Sequence, residues 1–229
     1  MIEVIGFDLD DTLWAVTPVI IQAEKTLNSW LAQAAPRLKY DVTSMRELRH
    51  ELLEKQPSLA NKITELRRQI IFQALVNSDI TQADELADQA IEVFLAARNQ
   101  IEFFDGALEV LGQLDASHSL GALSNGNADI HRIGLSHLFD FAFSAEDVGA
   151  PKPDPALFEK ALSHTGVDPH QMVYVGDDPL LDVDAAKQVG LKTVWLDHGK
   201  KPVGNTQPDI TIFSIRELPG AIDVLKNRG

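Results

Sequence analysis

Apolar residues divide the chain into a first strand, a helical block and a C-terminal segment in which strands and helices alternate. The run from Ile2 to Phe7 is apolar without clean alternation, which is typical of a strand covered on both faces. From Pro18 to Gln100, apolar residues recur at helical spacing and strand-like alternation is missing. This block is therefore predicted to be a bundle of amphipathic helices.

After Phe103, predicted strands alternate with predicted helices. The strands are expected at 119–124, 141–144, 172–175, 192–196 and 210–212, and the helices at 106–115, 128–137, 155–165, 182–189 and 215–227. Such alternation predicts right-handed crossovers and a parallel sheet with helices on both faces. We therefore expect an α/β protein, with a Rossmann-like core of residues 1–14 and 101–229. The helical domain of residues 15–100 would be inserted after the first strand.

The charge distribution also separates these two parts. The net charge is −14, yet residues 15–100 hold 10 Lys and Arg against 11 Asp and Glu, while the rest of the chain holds 10 against 23. An acidic surface argues against nucleic acids and anionic membranes as partners. It argues less against a small phosphorylated metabolite, because cations within a pocket can reverse the local potential.

Composition excludes several kinds of site. The chain has no cysteine, which excludes disulfides, thiolate metal sites and cysteine nucleophiles. We expect no signal peptide before the first strand, and no apolar run approaches the roughly 20 residues that span a membrane. We expect a cytoplasmic protein with no membrane partner; a monomer and a homodimer are both compatible with the sequence.

Three carboxylates, Asp8, Asp10 and Asp11, follow the first strand directly. Clustered acids repel one another and lose hydration when buried, so the end of a core strand is an unfavourable place for them without compensation. A divalent cation would compensate, and oxygen ligands without nearby Cys or His favour Mg²⁺. The alternative is a solvated acidic turn.

Three further strands are followed by polar groups suited to phosphate or metal. Ser124 and Asn125 lie at the end of the second, Lys152 comes after the third, and Asp177 follows the fourth. Taken singly, each segment is compatible with an ordinary turn or an exposed lysine. Because ligands of open α/β sheets bind at the carboxyl ends of the strands, the four segments together indicate one site.

This ordered set resembles the haloacid dehalogenase superfamily, and the helical insertion is similar to that family's alpha-helical cap. The matching residues, in chain order, are Asp8, Asp10, Thr12, Ser124, Lys152, Gly176, Asp177 and Asp182. The resemblance implies an Asp8 nucleophile that forms an aspartyl phosphate, with Asp10 as the general acid and base. It also implies that Ser124 and the amide of Asn125 hold phosphate oxygens.

The resemblance further implies a Mg²⁺ site that contains Asp8, Asp10 through its backbone carbonyl, and Asp177. The residues leave open whether Asp178 or Asp182 supports the metal, and the family's spacing favours Asp182. Lys152 would add a fixed positive charge beside the phosphate.

The implied activity is Mg²⁺-dependent hydrolysis of a small phosphorylated metabolite. The segments at 7–13, 124–128 and 175–178 are similar to bacterial phosphatases of the riboflavin pathway, which act on 5-amino-6-(5-phospho-D-ribitylamino)uracil and on FMN. A phosphosugar mutase and a phosphatase with broad nucleotide or sugar-phosphate specificity are alternatives. A non-catalytic binding protein on the same scaffold is a third, of another class. Dehalogenases of the superfamily lack the second aspartate and the metal, so Asp10 and Asp177 argue against cleavage of carbon–halogen bonds.

Overall fold

The computed structural model describes residues 1–38 and 41–227. It contains two compact units, one formed by Met1–Val16 with Glu102–Gly229 and the other by Thr17–Ile101. Among the described residues, no helix has both the length and the apolar character that a membrane crossing requires.

Four α-helices account for most of the second unit: α1 (Val16–Ala34), α2 (Val42–Lys55), α3 (Ile63–Asn77) and α4 (Ala83–Arg98). Its buried core combines alanines and large apolar side chains from α1, α3 and α4, among them Leu27, Ile71 and Phe94. The Arg67 guanidinium lies 3.8 Å from the centroid of the Phe94 ring, so a charged group also covers part of this core.

The first unit is built on a six-stranded sheet in which every pairing is parallel. The strands are β1 (Val4–Phe7), β2 (Ser119–Ser124), β3 (Phe141–Ser144), β4 (Met172–Gly176), β5 (Lys192–Leu196) and β6 (Ile210–Ile212), in the order β3-β2-β1-β4-β5-β6. The α/β fold expected from the sequence is confirmed. In the register of the sheet, Phe7 pairs with Ala122 and Val175, so the carboxyl ends of β1, β2 and β4 lie side by side.

The helices of this unit are α5 (Ala107–Asp115), α6 (Ile130–Ile133), α7 (Ala145–Val148), α8 (Ala156–Thr165), α9 (Ala185–Gln188) and α10 (Leu218–Asn227). The expected helix over 128–137 is wrong in its extent, because only α6 forms there. Asp129 caps the start of α6 by accepting a hydrogen bond from the His131 amide at 2.8 Å. Gly134, at φ +91°, then ends the helix in the left-handed conformation that glycine adopts without steric cost.

The helical segment after β4 begins earlier than the expected residue 182. A π-helical turn, Pro179–Asp184, leads into α9, and Asp178 caps it by accepting from the amides of Leu180 and Leu181. π-Helical turns occur frequently at functional sites. The last expected helix, 215–227, likewise starts as a 3₁₀ turn, Ile215–Glu217, before α10.

Candidate active site

A cavity of about 180 Å³ lies at the carboxyl ends of β1, β2 and β4. Its described lining consists of Asp8, Asp10, Asp11, Ser124, Asn125, Gly126, Lys152, Asp177, Asp178, Leu181, Asp182 and Lys201. All seven residues that the sequence indicated as catalytic, substrate-binding or metal-binding are in this set. The parallel register explains their proximity, since each lies at or after the carboxyl end of a strand at the same edge of the sheet.

Asp8 continues β1, and its backbone amide donates to the Val175 carbonyl at 2.9 Å. The side chain is buried, and its two oxygens accept from the Lys152 ammonium at 2.7 Å and from the Thr12 hydroxyl at 3.4 Å. Burial raises the pKa of Asp8 to about 8, while the Lys152 charge opposes that rise. On balance burial favours the neutral carboxyl, and the Lys152 charge limits this effect in favour of the ionised form that a nucleophile requires.

Lys152 is 3% exposed and uses all three of its ammonium protons. It donates to Asp8 Oδ1, Asp182 Oδ1 and Tyr174 Oη, each at 2.7 Å. Although burial acts in the other direction, the charges of Asp182 and Asp8 raise the pKa of Lys152 well above its ordinary value. The lysine therefore remains a fixed positive charge between two carboxylates.

The side chain of Asn125 orients the backbone of Lys152. Its amide nitrogen donates to the Lys152 carbonyl at 2.9 Å, and its oxygen accepts from the Lys152 amide at 2.7 Å. This paired contact joins the segment after β2 to the segment after β3. The sequence had indicated only a main-chain role for Asn125, because nothing in its local pattern reveals a partner 27 residues away.

Tyr174 is a residue of the site that the sequence analysis missed. Its hydroxyl accepts from Lys152 and donates to the Leu123 carbonyl at 2.8 Å, and its ring packs edge-on against Phe158. A tyrosine within an otherwise apolar core strand was an available signal, because a buried hydroxyl needs hydrogen-bond partners. Tyr174 thus positions the Lys152 ammonium from below the cavity.

The carboxylates of Asp8, Asp177 and Asp182 are all buried, and one ligand atom from each lies within 4.8 Å of the others. A cluster of this composition, with oxygen ligands alone, fits Mg²⁺. Asp182 reaches the cluster because residue 176 is glycine: a Cβ there would lie 2.3 Å from Asp182 Oδ2. That same oxygen accepts from the Asp178 amide at 2.9 Å, which fixes the carboxylate in place.

Asp10 and Ser124 have defined local partners. Asp10 Oδ1 accepts from the indole nitrogen of the fully buried Trp14 at 2.8 Å. The Ser124 hydroxyl oxygen accepts from the Gly126 amide at 3.0 Å. Both side chains are thereby held at the cavity wall, where an acid and a hydrogen-bond donor for phosphate are expected.

Lys201 lies outside every motif and brings a second ammonium to the cavity. It donates to Asp177 Oδ2 at 2.7 Å and to Asp178 Oδ2 at 2.8 Å. Burial raises the pKa of Asp177, and the hydrogen bond from Lys201 opposes that rise. No sequence signal predicted this contact, since it depends on how the segment after β5 folds back.

Comparison with known proteins places this geometry in a family. The profile of the haloacid dehalogenase-like hydrolases matches residues 2–190. A crystal structure described as a 2-haloacid dehalogenase from Pseudomonas syringae pv. Tomato DC3000 has a TM-score of 0.93 and 40% identity to this chain. The structural alignment covers 98% of this chain and 99% of the dehalogenase chain.

Several curated relatives carry phosphatase names. The 5-amino-6-(5-phospho-D-ribitylamino)uracil phosphatase YigB of Escherichia coli is 29% identical over 198 residues, which are 85% of this chain and 83% of YigB. A phosphoserine phosphatase of Thermus thermophilus is 34% identical over 143 residues, or 59% of this chain and 57% of the relative.

Proposed function

Since the chain belongs to the haloacid dehalogenase-like hydrolase family, we propose that it is a Mg²⁺-dependent phosphatase that acts on a small phosphorylated metabolite. The expectation of a phosphatase enzyme in this family agrees with the names of the curated relatives. The observation that carries the proposal is that one cavity brings together two lysines and three buried, metal-suited carboxylates, of which Asp8 is the proposed nucleophile.

The first chemical step is attack of the Asp8 carboxylate on phosphorus. The bond from phosphorus to the leaving oxygen breaks as the aspartyl phosphate forms, and Asp10 gives its proton to that oxygen. Water then attacks the phosphorus of the intermediate while Asp10 takes back a proton. Inorganic phosphate leaves and the Asp8 carboxylate is restored.

The other residues of the cavity hold the transferring group. The Ser124 hydroxyl and the Asn125 backbone amide would donate to phosphate oxygens, and Lys152 would supply positive charge. Asp8, Asp177 and the Asp10 carbonyl would bind Mg²⁺, supported by Asp182, and the bound ion would neutralise charge on the phosphate oxygens. Asp178 would not be a ligand, because its side chain accepts from the amides of Leu180 and Leu181 and so caps the π-helical turn.

For the substrate, we propose a phosphate ester of the riboflavin pathway, either 5-amino-6-(5-phospho-D-ribitylamino)uracil or FMN. The motif similarities support this choice, and so does YigB, whose name carries the first of these substrates. A phosphoserine phosphatase among the relatives supports broader specificity as an alternative. A phosphosugar mutase would use the same site residues and is a further alternative.

Dehalogenation is a second candidate, favoured by the name of the 40% identical crystal structure. Displacement of a halide needs a carboxylate nucleophile, but it needs neither a proton for the leaving group nor a metal ion. The acid Asp10 and the buried metal-suited group that includes Asp177 would then have no task. These two residues support phosphatase chemistry over dehalogenation.

One screen tests both candidates. Purified protein would be assayed for phosphate release from a panel that contains both riboflavin-pathway substrates, other nucleotides and sugar phosphates, with Mg²⁺ and with a chelator. Chloride release from L-2-chloropropionate would be measured in parallel. We expect phosphate release that requires Mg²⁺ and no chloride release; metal-independent chloride release without phosphatase activity would overturn the proposal.

We expect Asp10→Asn to lower kcat by about 10²–10⁴-fold, since general acid–base catalysis contributes that much. The loss should be greater for an alkyl phosphate than for p-nitrophenyl phosphate, because the p-nitrophenolate leaving group needs little protonation. Steady-state kinetics on the two substrates would measure this difference. Equal losses on both would contradict the acid role of Asp10.

A further inference from the structure

The acidic cavity contains two separate lysine–carboxylate groups. Lys152 bridges Asp8 and Asp182, whereas Lys201 bridges Asp177 and Asp178. The Lys152 side chain is buried, but the Lys201 side chain is 40% exposed and reaches the site from the rim. Of the two ammonium groups, Lys201 is therefore the one with room to move away from its carboxylates into solvent.

The segment that carries Lys201 is fastened to the site on both sides. On one side, His198 Nε2 lies 2.7 Å from the Asp11 carbonyl, and the His198 ring packs against Phe104. On the other, Asp184 accepts from the backbone amides of Asn205 and Thr206 at 2.9 and 2.8 Å. These contacts fix the backbone of the loop on both sides of Lys201. The position of Lys201 beside Asp177 therefore follows from the loop conformation.

Close approach of the backbone strengthens the second attachment. A Cβ at Gly204 would lie 2.7 Å from the Pro179 carbonyl oxygen and 2.9 Å from Asp184 Oδ1. The loop thus packs directly on the π-helical turn that also carries Asp182. Lys201 is held over the same structural element that supplies the proposed metal support.

Lys201 and a metal ion would compete for one carboxylate. Asp177 Oδ2 accepts from the Lys201 ammonium, and Asp177 belongs to the buried group suited to a cation. An ammonium within a few ångströms of a bound dication would be strongly repelled. Although burial opposes it, the hydrogen bonds to Asp177 and Asp178 raise the pKa of Lys201, so the side chain stays charged.

We propose that Lys201 is an internal counter-ion, which neutralises Asp177 when the metal site is empty and leaves this carboxylate when Mg²⁺ binds. The inference rests on the metal site of the proposed function and adds a positioning residue to it. Lys201 stabilises the metal-free protein and weakens Mg²⁺ binding, because the ion must displace it. The strength of the Lys201 ion pairs therefore sets the Mg²⁺ concentration at which the metal site is occupied.

The chain supplies a matched control in the preceding residue. Lys200 is exposed on the same loop, and no ion pair or side-chain hydrogen bond of Lys200 is seen within the described part of the chain. Lys200→Met and Lys201→Met therefore make the same change in charge, length and loop composition. They differ in whether the ammonium that is removed contacts Asp177.

The test measures Mg²⁺ affinity by isothermal titration calorimetry and melting temperature with chelator and with saturating Mg²⁺, at low ionic strength. For Lys201→Met we expect Mg²⁺ to bind roughly tenfold more tightly than in wild type. Its metal-free melting temperature should be lower than that of wild type, while the Mg²⁺-saturated values should agree. Lys200→Met should match wild type in all three quantities.

Other outcomes would overturn the inference in distinguishable ways. If Lys201→Met lowers the melting temperature equally with and without Mg²⁺, Lys201 is an ordinary stabilising contact of the loop. If the two lysine variants bind Mg²⁺ with the same affinity, the ammonium does not compete with the metal. If wild type itself binds no Mg²⁺, the metal site of the proposed function fails, and the inference fails with it.

Discussion

Replacement of Asp8 by Asn is expected to abolish turnover, with kcat reduced at least about 10⁴-fold. A loss of this size is typical when the nucleophile of an active site whose residues act together is removed. The amide keeps the volume of the carboxylate but cannot form an acyl phosphate. After an acid quench of reacting enzyme, intact-protein mass spectrometry should show a phosphoryl adduct on wild type and none on the variant.

The Asp8→Asn experiment needs a control for the same chemical change elsewhere. Asp79 is an exposed turn residue at φ +55°, a conformation that Asn adopts as readily as Asp. Asp79→Asn should therefore retain wild-type kcat. The melting temperature of Asp8→Asn should stay near wild type, because Lys152 keeps Asp182 as a counter-charge. A pure Asp8→Asn enzyme that turns over at nearly the wild-type rate would exclude Asp8 as the nucleophile.

Replacement of Lys152 by Met is expected to impair both stability and turnover. The change leaves Asp8 and Asp182 buried without their shared cation, which typically costs about 3–5 kcal/mol in the free energy of unfolding. Urea unfolding in a chelator would measure this loss. Without the ammonium, the pKa of Asp8 would rise above its value of about 8. Above about pH 8, Asp8 ionises in folded wild type more readily than in the folded variant, so the loss in the free energy of unfolding should be larger at alkaline than at acidic pH.

A second lysine variant separates this effect from the loss of any charge. Lys187 pairs with Asp209 where both side chains are partly exposed. Lys187→Met should therefore cost only about 0–1 kcal/mol, as partly solvated ion pairs usually do. Similar losses in the free energy of unfolding for Lys152→Met and Lys187→Met would mean that the buried contacts of Lys152 stabilise the protein no more than a partly exposed ion pair does.

Sequence pattern alone was sufficient for the fold class and for the expectation that the candidate site residues meet at one edge of the sheet. The parallel sheet followed from strand–helix alternation, and polar groups after consecutive strands must meet at one edge of such a sheet. Asp8, Ser124 and Asp177 could be found in this way because Asp8 and Asp177 directly follow their strands and Ser124 is the last residue of β2. Their spacing is local, so no tertiary information was needed to recognise it.

Local pattern was less informative about helix ends and helix type. The residues after Gly134 have helix-compatible composition, yet the glycine's positive φ ends α6 there. The segment Pro179–Asp184 is six residues long, which is too short for apolar spacing to distinguish a π-helical turn from the start of an α-helix. In both places the geometry of one turn outweighed the periodicity.

The tertiary structure alone decided how the charges of the site are paired. Lys152 is linked to Asp182 across 30 residues, and Lys201 to Asp177 across 24. Such pairs depend on the register of the strands and on the path of the loop after β5, and neither leaves a periodic trace in the sequence. The sequence by itself determined which chemical groups gather at the edge of the sheet, while folding determined which cation neutralises which carboxylate, because ion pairing depends on distances that only the folded chain defines.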